Sequence, residues 1–491
     1  MRTSYWRGKH LLVGILICCA AWIMAASLAP HSAAAADQEQ VLHSFCSTGG
    51  DACTNGAVPQ VGLIMDSEGN LYGTTFYGGA GKYGGLGIVR GGGSTSSKTR
   101  PGYAGRDRAS ASAADKAKAP VEGGSQGGGT VFALIPNKNK TAWTYKVIYN
   151  FCSKPGCADG ANPIGALIMD KSGNLYGTTE FGGYRAGTVF ELKPNAAKTA
   201  WTEKVLYSFC SQAECTDGTE PYGSLLMDSS GNLYGTTSEG GAHNGGTAFE
   251  LTPNPAKTAW TYKPVYSFCP QADCPDGVVP LAGLIMDASG NLYGTTLYGG
   301  AGSDGTVFQL KPNANKTVWT EYVLYSFCVQ INCADGQYPN SSLVMDKSGK
   351  LYGTVPGGGA QNSGAVFVLT PASTPPWTEN LLYSFCKQAD CADGLYPYAG
   401  LMMDKSGNFY GTTEFGGGAP PSQGVAFELT PNPAKTVWTE KVLYSFCAQP
   451  GCTDGAEPNV GTLIMDASGN LYGMTFTGGR YSSGTVFMLK P

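Results

Sequence analysis

Short runs of alternating apolar and polar residues, separated by glycine-rich turns, recur from about residue 41 to the C-terminus. The stretch SLLMDSSGNLYGTTSEGGAHNGGTAFELTPNPAKTAWTYKPVYSFC (Ser224 to Cys269) contains four of them. LLMD and NLYGTT flank SSG, a turn in which Gly231 is free to take positive φ and Asp228 and Ser229 can bond the local backbone. GTAFEL follows a Gly-Gly loop, and WTYKPVYSF follows the proline-containing connection LTPNPAKTA. A strict period of 2 puts Trp260, Tyr262, Pro264, Tyr266 and Phe268 on one face of the last run. Pro264 has no N–H to donate and marks an edge strand. Beyond the first 36 residues no segment sustains a 3.6-residue apolar pattern. The pattern therefore predicts four short antiparallel strands and their turns.

The same grammar repeats. A Met-Asp pair marks each copy, with its aspartate at Asp66, Asp170, Asp228, Asp287, Asp346, Asp404 and Asp466. Copies are about one 58-residue unit apart, except that the first spacing holds one unit plus an insertion. Seven units of four strands predict an all-β, seven-bladed β-propeller. The last unit (Gly461 to Leu489) has only three of its strands, and QVLHSFC near the N-terminus has the sequence of the missing fourth. Pairing the two would close the ring and remove a free sheet edge. An open β-solenoid is the rival architecture, but it has no need of complementary half-units.

The units resemble the GloVer tandem repeat, whose hallmark is MDxxGNLYGTTxxGG followed by GTVFxL. MDKSGNLYGTTEFGG with GTVFELKP (Met169 to Pro194) and MDASGNLYGTTLYGG with GTVFQLKP (Met286 to Pro312) carry it. The resemblance spans nearly all of residues 41–491. Departures are local: Lys350 stands for the turn asparagine, TVPGGG (Thr354 to Gly359) for TTxxGG, and Met474 for a threonine. The resemblance implies exported bacterial proteins with varied C-terminal anchors. No anchor follows the repeats here, so a free or periplasmic protein is expected. The strand grammar is also similar to NHL-type blades, a likeness of fold alone.

Composition agrees with this class. Seventy-one glycines and 27 tyrosines with 14% charged residues suit an all-β chain. A net charge of −4 gives no case for nucleic acid or an anionic membrane as partner. Residues 1–36 read as a signal peptide. Arg2, Arg7 and Lys9 precede the apolar stretch Leu11 to Ala29, and small residues offer cleavage after Ala36. The long apolar stretch leaves a retained anchor as the alternative. Leu16 and Ile17 are too bulky for a lipobox before Cys18 and Cys19. The mature propeller is then residues 37–491, secreted, periplasmic or at the cell surface, and off the membrane once the signal is cleaved. Residues 81–127 interrupt the first blade between its second and third strands. They are rich in Gly, Ser, Ala and positive charge, with few large apolar residues to bury, and are expected to be disordered.

Fourteen cysteines pair locally after each fourth strand: Cys46 with Cys53, Cys152 with Cys157, Cys210 with Cys215, Cys269 with Cys274, Cys328 with Cys333, Cys386 with Cys391, and Cys447 with Cys452. In an exported chain these read as disulfides. Shared metal sites are the alternative, but seven pairs cannot be shared two by two, and the mature chain has only His43 and His243 to complete them. No cofactor or metal is called for.

The cysteine loops would stiffen one mouth of the central channel. There an acidic turn recurs at Asp159, Asp217, Asp276, Asp335, Asp393 and Asp454, with Asn55 in its place in the first unit. Asp-Gly is turn chemistry first; a ring of carboxylates and tyrosines facing a sugar or a cation is the functional reading. Residues that differ between blades are the stronger candidates. These are Tyr77, Glu180, Phe181, Tyr298, Glu414 and Phe415 at the tips of the second strands, and Tyr222, Tyr338, Tyr396 and Tyr398 near the loop prolines. Rigid loops bearing aromatics suit sugar or peptide binding. HExxH is absent from the sequence, and the GxSxG match Gly123 to Gly127 lies in the glycine-rich insertion, so no nucleophile elbow is expected. The expected function is a non-catalytic binding scaffold for carbohydrate or protein, and the chain is expected to be a monomer. A polysaccharide lyase or glycosidase at the channel mouth, and a structural envelope component, are the alternatives.

Overall fold

An aspartate makes the hairpin that opens each unit. The computed structural model describes residues 39–47, 53–80, 127–418 and 422–490. Asp228 Oδ1 accepts the backbone N–H groups of Ser230 and Asn232, both at 2.9 Å, and Oδ2 accepts the Asn232 side-chain amide. Gly231 closes the turn at φ +84° and donates to the Asp228 carbonyl at 3.0 Å. Where Lys350 replaces the asparagine, its backbone N–H still reaches Asp346 Oδ1 at 3.1 Å, and Ser348 Oγ adds a bond of 2.6 Å. The turn survives because the backbone carries it.

Four strands follow from the channel outward. In the third blade they are Leu226–Met227, Leu233–Thr237, Thr247–Pro253 and Trp260–Ser267, each antiparallel to the next. Six sheets are built from consecutive strands. The seventh joins Val460–Met465, Leu471–Thr475 and Thr485–Leu489 to Glu39–Ser44, with Glu39 opposite Leu489 and Ser44 opposite Thr485. The protein is a seven-bladed β-propeller whose ring is closed by its N-terminal strand. The second blade gains a short extra strand, Ala161–Pro163, paired to Leu175–Phe181. Five single-turn 3-10 helices lie in the cysteine loops, and no helix among the described residues is long and apolar enough to cross a membrane.

The core lies between blades. A phenylalanine at the end of each outer strand is fully buried and meets the third-strand phenylalanine of the next blade: Phe209 on Phe249 at 5.1 Å, Phe327 on Phe367 at 5.1 Å, Phe446 on Phe487 at 4.8 Å. Phe45 on Phe132 at 5.3 Å completes the circle. These tilted and edge-to-face contacts place a positive ring edge against a negative face. The second-strand glycine has the matching role. A Cβ on Gly235 would stand 2.6 Å from Phe249 Cζ, so the ring lies where a side chain would be.

The outer strands depart from the alternation. In all seven blades the register slips by one residue, at Leu42, Ile148, Leu206, Val265, Leu324, Leu382 and Leu443. This β-bulge splits the expected face of the third blade. Val265 turns inward at 7% exposure while Pro264 is exposed. The extra residue changes the parity, so that Phe268 still reaches the core.

On the face opposite the cysteine loops, lysines before the outer strands reach the hairpin aspartates of the preceding blade. Lys140 lies 2.8 Å from Asp466, Lys198 3.2 Å from Asp66, Lys257 3.6 Å from Asp170 and Lys316 3.8 Å from Asp228. Burial raises the Asp466 carboxyl, but hydrogen bonds from Lys140, Asn470 and Tyr472 outweigh it and hold the group down at about 2. The expected signal peptide (1–36) lies outside the described residues, as does the 81–127 insertion apart from Gly127.

Candidate binding site at the channel mouth

All seven expected cysteine pairs are disulfides. Each loop is folded onto the end of its outer strand by the acidic turn. Asp217 Oδ2 accepts the Tyr207 hydroxyl at 2.7 Å, the Ser211 backbone N–H at 3.0 Å and the Ser211 hydroxyl at 2.8 Å, while Oδ1 takes the Gln212 N–H at 3.3 Å. Asp159, Asp276, Asp335, Asp393 and Asp454 are buried like Asp217. In the first unit Asn55 donates to Ser47 Oγ at 2.8 Å. These aspartates are spent on the loop, so the ligand-facing carboxylate ring is not formed by them.

After each acidic turn the chain bends through a residue of positive φ: Val58, Asn162, Glu220, Val279, Tyr338, Tyr396 and Glu457, at +55° to +64°. None is glycine and each precedes a proline, an unfavourable place for this conformation. Hydrogen bonds on both sides hold it. The Glu220 N–H donates to Ala186 O of the preceding blade at 2.9 Å, and the Glu220 carbonyl accepts the Ser238 N–H at 3.0 Å. Tyr338, Tyr396 and Glu457 make the same inter-blade bond to Asp304, Ser363 and Gln423.

The residue after the proline then faces the channel. Gln60, Ile164, Tyr222, Leu281, Asn340, Tyr398 and Asn459 stand at this position, one per blade, and all line a single cavity of about 940 Å³. Glu414, Phe415, Gln423, Glu457 and Phe476 extend the wall on the side of the sixth and seventh blades. Small residues, among them Gly62, Ala166, Ser224 and Gly400, form the deeper wall.

Of the ten expected binding residues, Tyr222, Tyr398, Glu414 and Phe415 line this cavity. Glu180 sits behind Tyr222 and accepts its hydroxyl at 2.7 Å. Burial first, then the charges of Glu180 and Glu220, push the Tyr222 hydroxyl far above its ordinary range, so it is a donor at any working pH. Tyr77 is pushed up to about 12 by burial and by Glu180, which places it in the same cluster. Phe181 packs against the Cys152–Cys157 disulfide and Ala161. Tyr298 and Tyr338 meet edge to face at 5.7 Å across two blades, and Tyr396 lies 6.4 Å from the Phe415 ring. The ten residues therefore separate into four on the wall and six in the layer around it.

Sequence reasoning missed the amides. Asn459 Nδ2 donates to Glu414 Oε1 at 3.3 Å, joining the seventh blade to the sixth. Gln60, Asn340 and Asn459 share the post-proline position with Tyr222 and Tyr398, and that position varies between blades beside a proline that never does. The contrast was a usable signal. The charged residues on the described wall are both carboxylates, Glu414 and Glu457. Aromatic faces, amides and carboxylates together can stack on and hydrogen-bond a polyhydroxylated ligand. Among the described residues, the three His, Cys, Asp or Glu side chains close enough to share a metal are Asp304, Cys328 and Cys333, and the two cysteines are disulfide-bonded to each other.

Solved structures with related coordinates share little sequence with this chain. An oxidoreductase described as a glucose dehydrogenase from Thermus thermophilus is 14% identical, with a TM-score of 0.39 over 67% of this chain and 96% of its own. A protein of unknown function from Dyadobacter fermentans is 10% identical, with a TM-score of 0.38 over 92% of this chain and 98% of its own. A GH43 endo-arabinanase from Bacillus licheniformis is 12% identical, with a TM-score of 0.33 over 57% of this chain and 98% of its own. A search of curated proteins found no match. The sequence pattern of the Gloeobacter/Verrucomicrobia repeat matches residues 119–284 and 258–487, which together cover most of the seven blades. The chain belongs to the Gloeobacter/Verrucomicrobia repeat family.

Proposed function

We propose that this chain is exported and binds a saccharide, without transforming it, in the mouth of its channel. The observation that carries the reading is the composition of the 940 Å³ wall, where Tyr222, Tyr398 and Phe415 stand among Gln60, Asn340 and Asn459. Sugars present apolar ring faces and hydroxyl edges, and this mixture of aromatic planes and amides matches both. Seven disulfides beside the mouth fit an oxidising compartment and a preorganised site.

The test is an array of bacterial and plant polysaccharides probed with residues 37–491, followed by calorimetry on any glycan that is retained. Tyr398→Ala and Asn459→Ala should each weaken binding at least tenfold, roughly 1.4 kcal/mol or more, with the melting temperature nearly unchanged. A blank array, or variants that bind as well as the parent, would overturn the reading. Shortened or unsaturated products that vanish in Glu414→Gln would replace it with an enzyme at the same mouth.

A further inference from the structure

Seven copies of one blade on one chain allow each surface position to be compared with six internal controls. Seven large apolar side chains stand exposed among the described residues, and four of them fall between residues 318 and 331: Val318 at 61%, Tyr322 at 39%, Val329 at 53% and Ile331 at 87%. They lie on the outer strand of the fourth blade, Trp319–Ser326, and on the segments that flank it, including the disulfide loop that follows.

The controls differ. The position of Tyr322 is Lys146, Lys204, Lys263 or Lys441 in four other blades, Asn380 in the fifth and Gln40 in the seventh. In the second, third and sixth blades that lysine stands opposite a third-strand glutamate. In the fourth blade both members of the pair are exchanged, and neutral Tyr322 stands opposite neutral Gln309. The position of Val329 is elsewhere Ser, Pro, Lys or Ala, and that of Ile331 is Pro or Ala in the five other five-residue loops. Exposed lysine on an edge strand opposes pairing with another strand, and this blade has lost it.

The backbone of the edge is open as far as Val323, beyond which the carbonyl of the bulge residue Leu324 accepts the Trp377 N–H of the next blade at 2.7 Å. The Asn313 N–H bonds the Val318 carbonyl at 2.9 Å, which turns the backbone groups of Val318, Thr320 and Tyr322 inward. Alternation leaves those of Trp319, Glu321 and Val323 pointing away from the sheet. From Val318 to Cys333 the sole charged residue is Glu321, and its side chain is turned into the junction with the third blade near Asp276.

We propose that this edge is a docking surface for a second copy of the chain, paired antiparallel about a two-fold axis near Tyr322. A two-fold axis brings like against like, so a lysine there would meet a lysine, whereas this stripe meets itself without charge. Antiparallel pairing also lays the Val318 end of one copy against the Val329 and Ile331 end of the other. The regular part of the strand is roughly 20 Å long, so the buried area falls at the low end for specific interfaces and the dimer is concentration-dependent.

Sedimentation velocity on residues 37–491, from sub-micromolar to several hundred micromolar, tests this. The parent should pass from monomer to dimer with a micromolar dissociation constant. The double variant Tyr322→Lys with Gln309→Glu restores the pair that three other blades carry; it should raise that constant at least about tenfold and leave the melting temperature in place. Ile331→Ser should act in the same direction. A photo-crosslinking amino acid at position 322 should attach to residues 318–333 of the second copy. A parent that stays monomeric throughout, a dimer indifferent to both variants, or crosslinks mapping to another blade would overturn the proposal.

Discussion

Gly235 and Asp217 show how much a single position carries in a ring of interlocked blades. Gly235 has an ordinary φ, so its role is room for the Phe249 ring, and Gly235→Ala should cost about 1–3 kcal/mol by overpacking. Gly231, by contrast, is a matter of backbone conformation, with no neighbour nearer than 3.9 Å to an added Cβ. Asp217 accepts four hydrogen bonds in a buried loop, and Asp217→Ala leaves a tyrosine hydroxyl and two backbone N–H groups to find other partners. We expect a loss of about 3 kcal/mol in chemical denaturation, with the Cys210–Cys215 disulfide still formed by mass. The same substitution at Asp335 or Asp393 should give a similar loss, since Tyr325 and Tyr383 make the same contact at 2.9 and 2.8 Å.

At the scale of the element, the outer strand is where sequence and structure part. The seven units, their four strands, the cysteine pairs and the closure of the last blade by the first strand can all be read from spacing and alternation, because these are local patterns. The bulge cannot, because Val265 and Tyr266 both suit a strand and only the packing of Phe268 against Phe308 decides which of them is the extra residue. The channel wall was half legible for a related reason. Tyr222 and Tyr398 are conspicuous as aromatics, but Asn459 gains meaning only beside Glu414, which lies 45 residues away and in the adjacent blade. The bulge makes its own prediction. Leu324→Ala should lose about 2–4 kcal/mol and still fold, whereas deleting Leu324 would turn Phe327 away from Phe367 and should yield insoluble protein. Equal solubility of the two variants would show that the bulge is dispensable.

Across the whole molecule, a glutamate on the outer strand sits at several blade junctions, facing the acidic turn of the preceding blade. Burial, and then the charge of Asp454, Asp276 or Asp335, pushes Glu39, Glu321 and Glu379 up to about 8, and Glu440 beside Asp393 up to about 7. Glu203 differs in having Lys154 at 2.7 Å. In the unfolded chain these carboxyls ionise near their usual 4.5, so at neutral pH the folded ring holds protons that the unfolded chain has released. Stability should therefore fall as pH rises from about 4.5 to about 8 and level off above that, with the melting temperature at pH 9 roughly 5 °C or more below that at pH 6. Glu321→Gln combined with Glu379→Gln should flatten the slope, and an unchanged slope would assign it elsewhere. The closure of the ring bears on something different, the order of events during synthesis. Glu39–Ser44 leaves the ribosome before every other described strand and its partner, Thr485–Leu489, after all of them, so the seam cannot be sewn until the other strands have been made. Joining ends this far apart costs roughly 5 kcal/mol in chain entropy, which falls on the last step rather than being shared among the blades. A circular permutant that moves residues 39–46 behind residue 490 makes that step a local hairpin. It should refold faster and aggregate less than the natural order, while melting at nearly the same temperature: a difference of history between two molecules that end in the same shape.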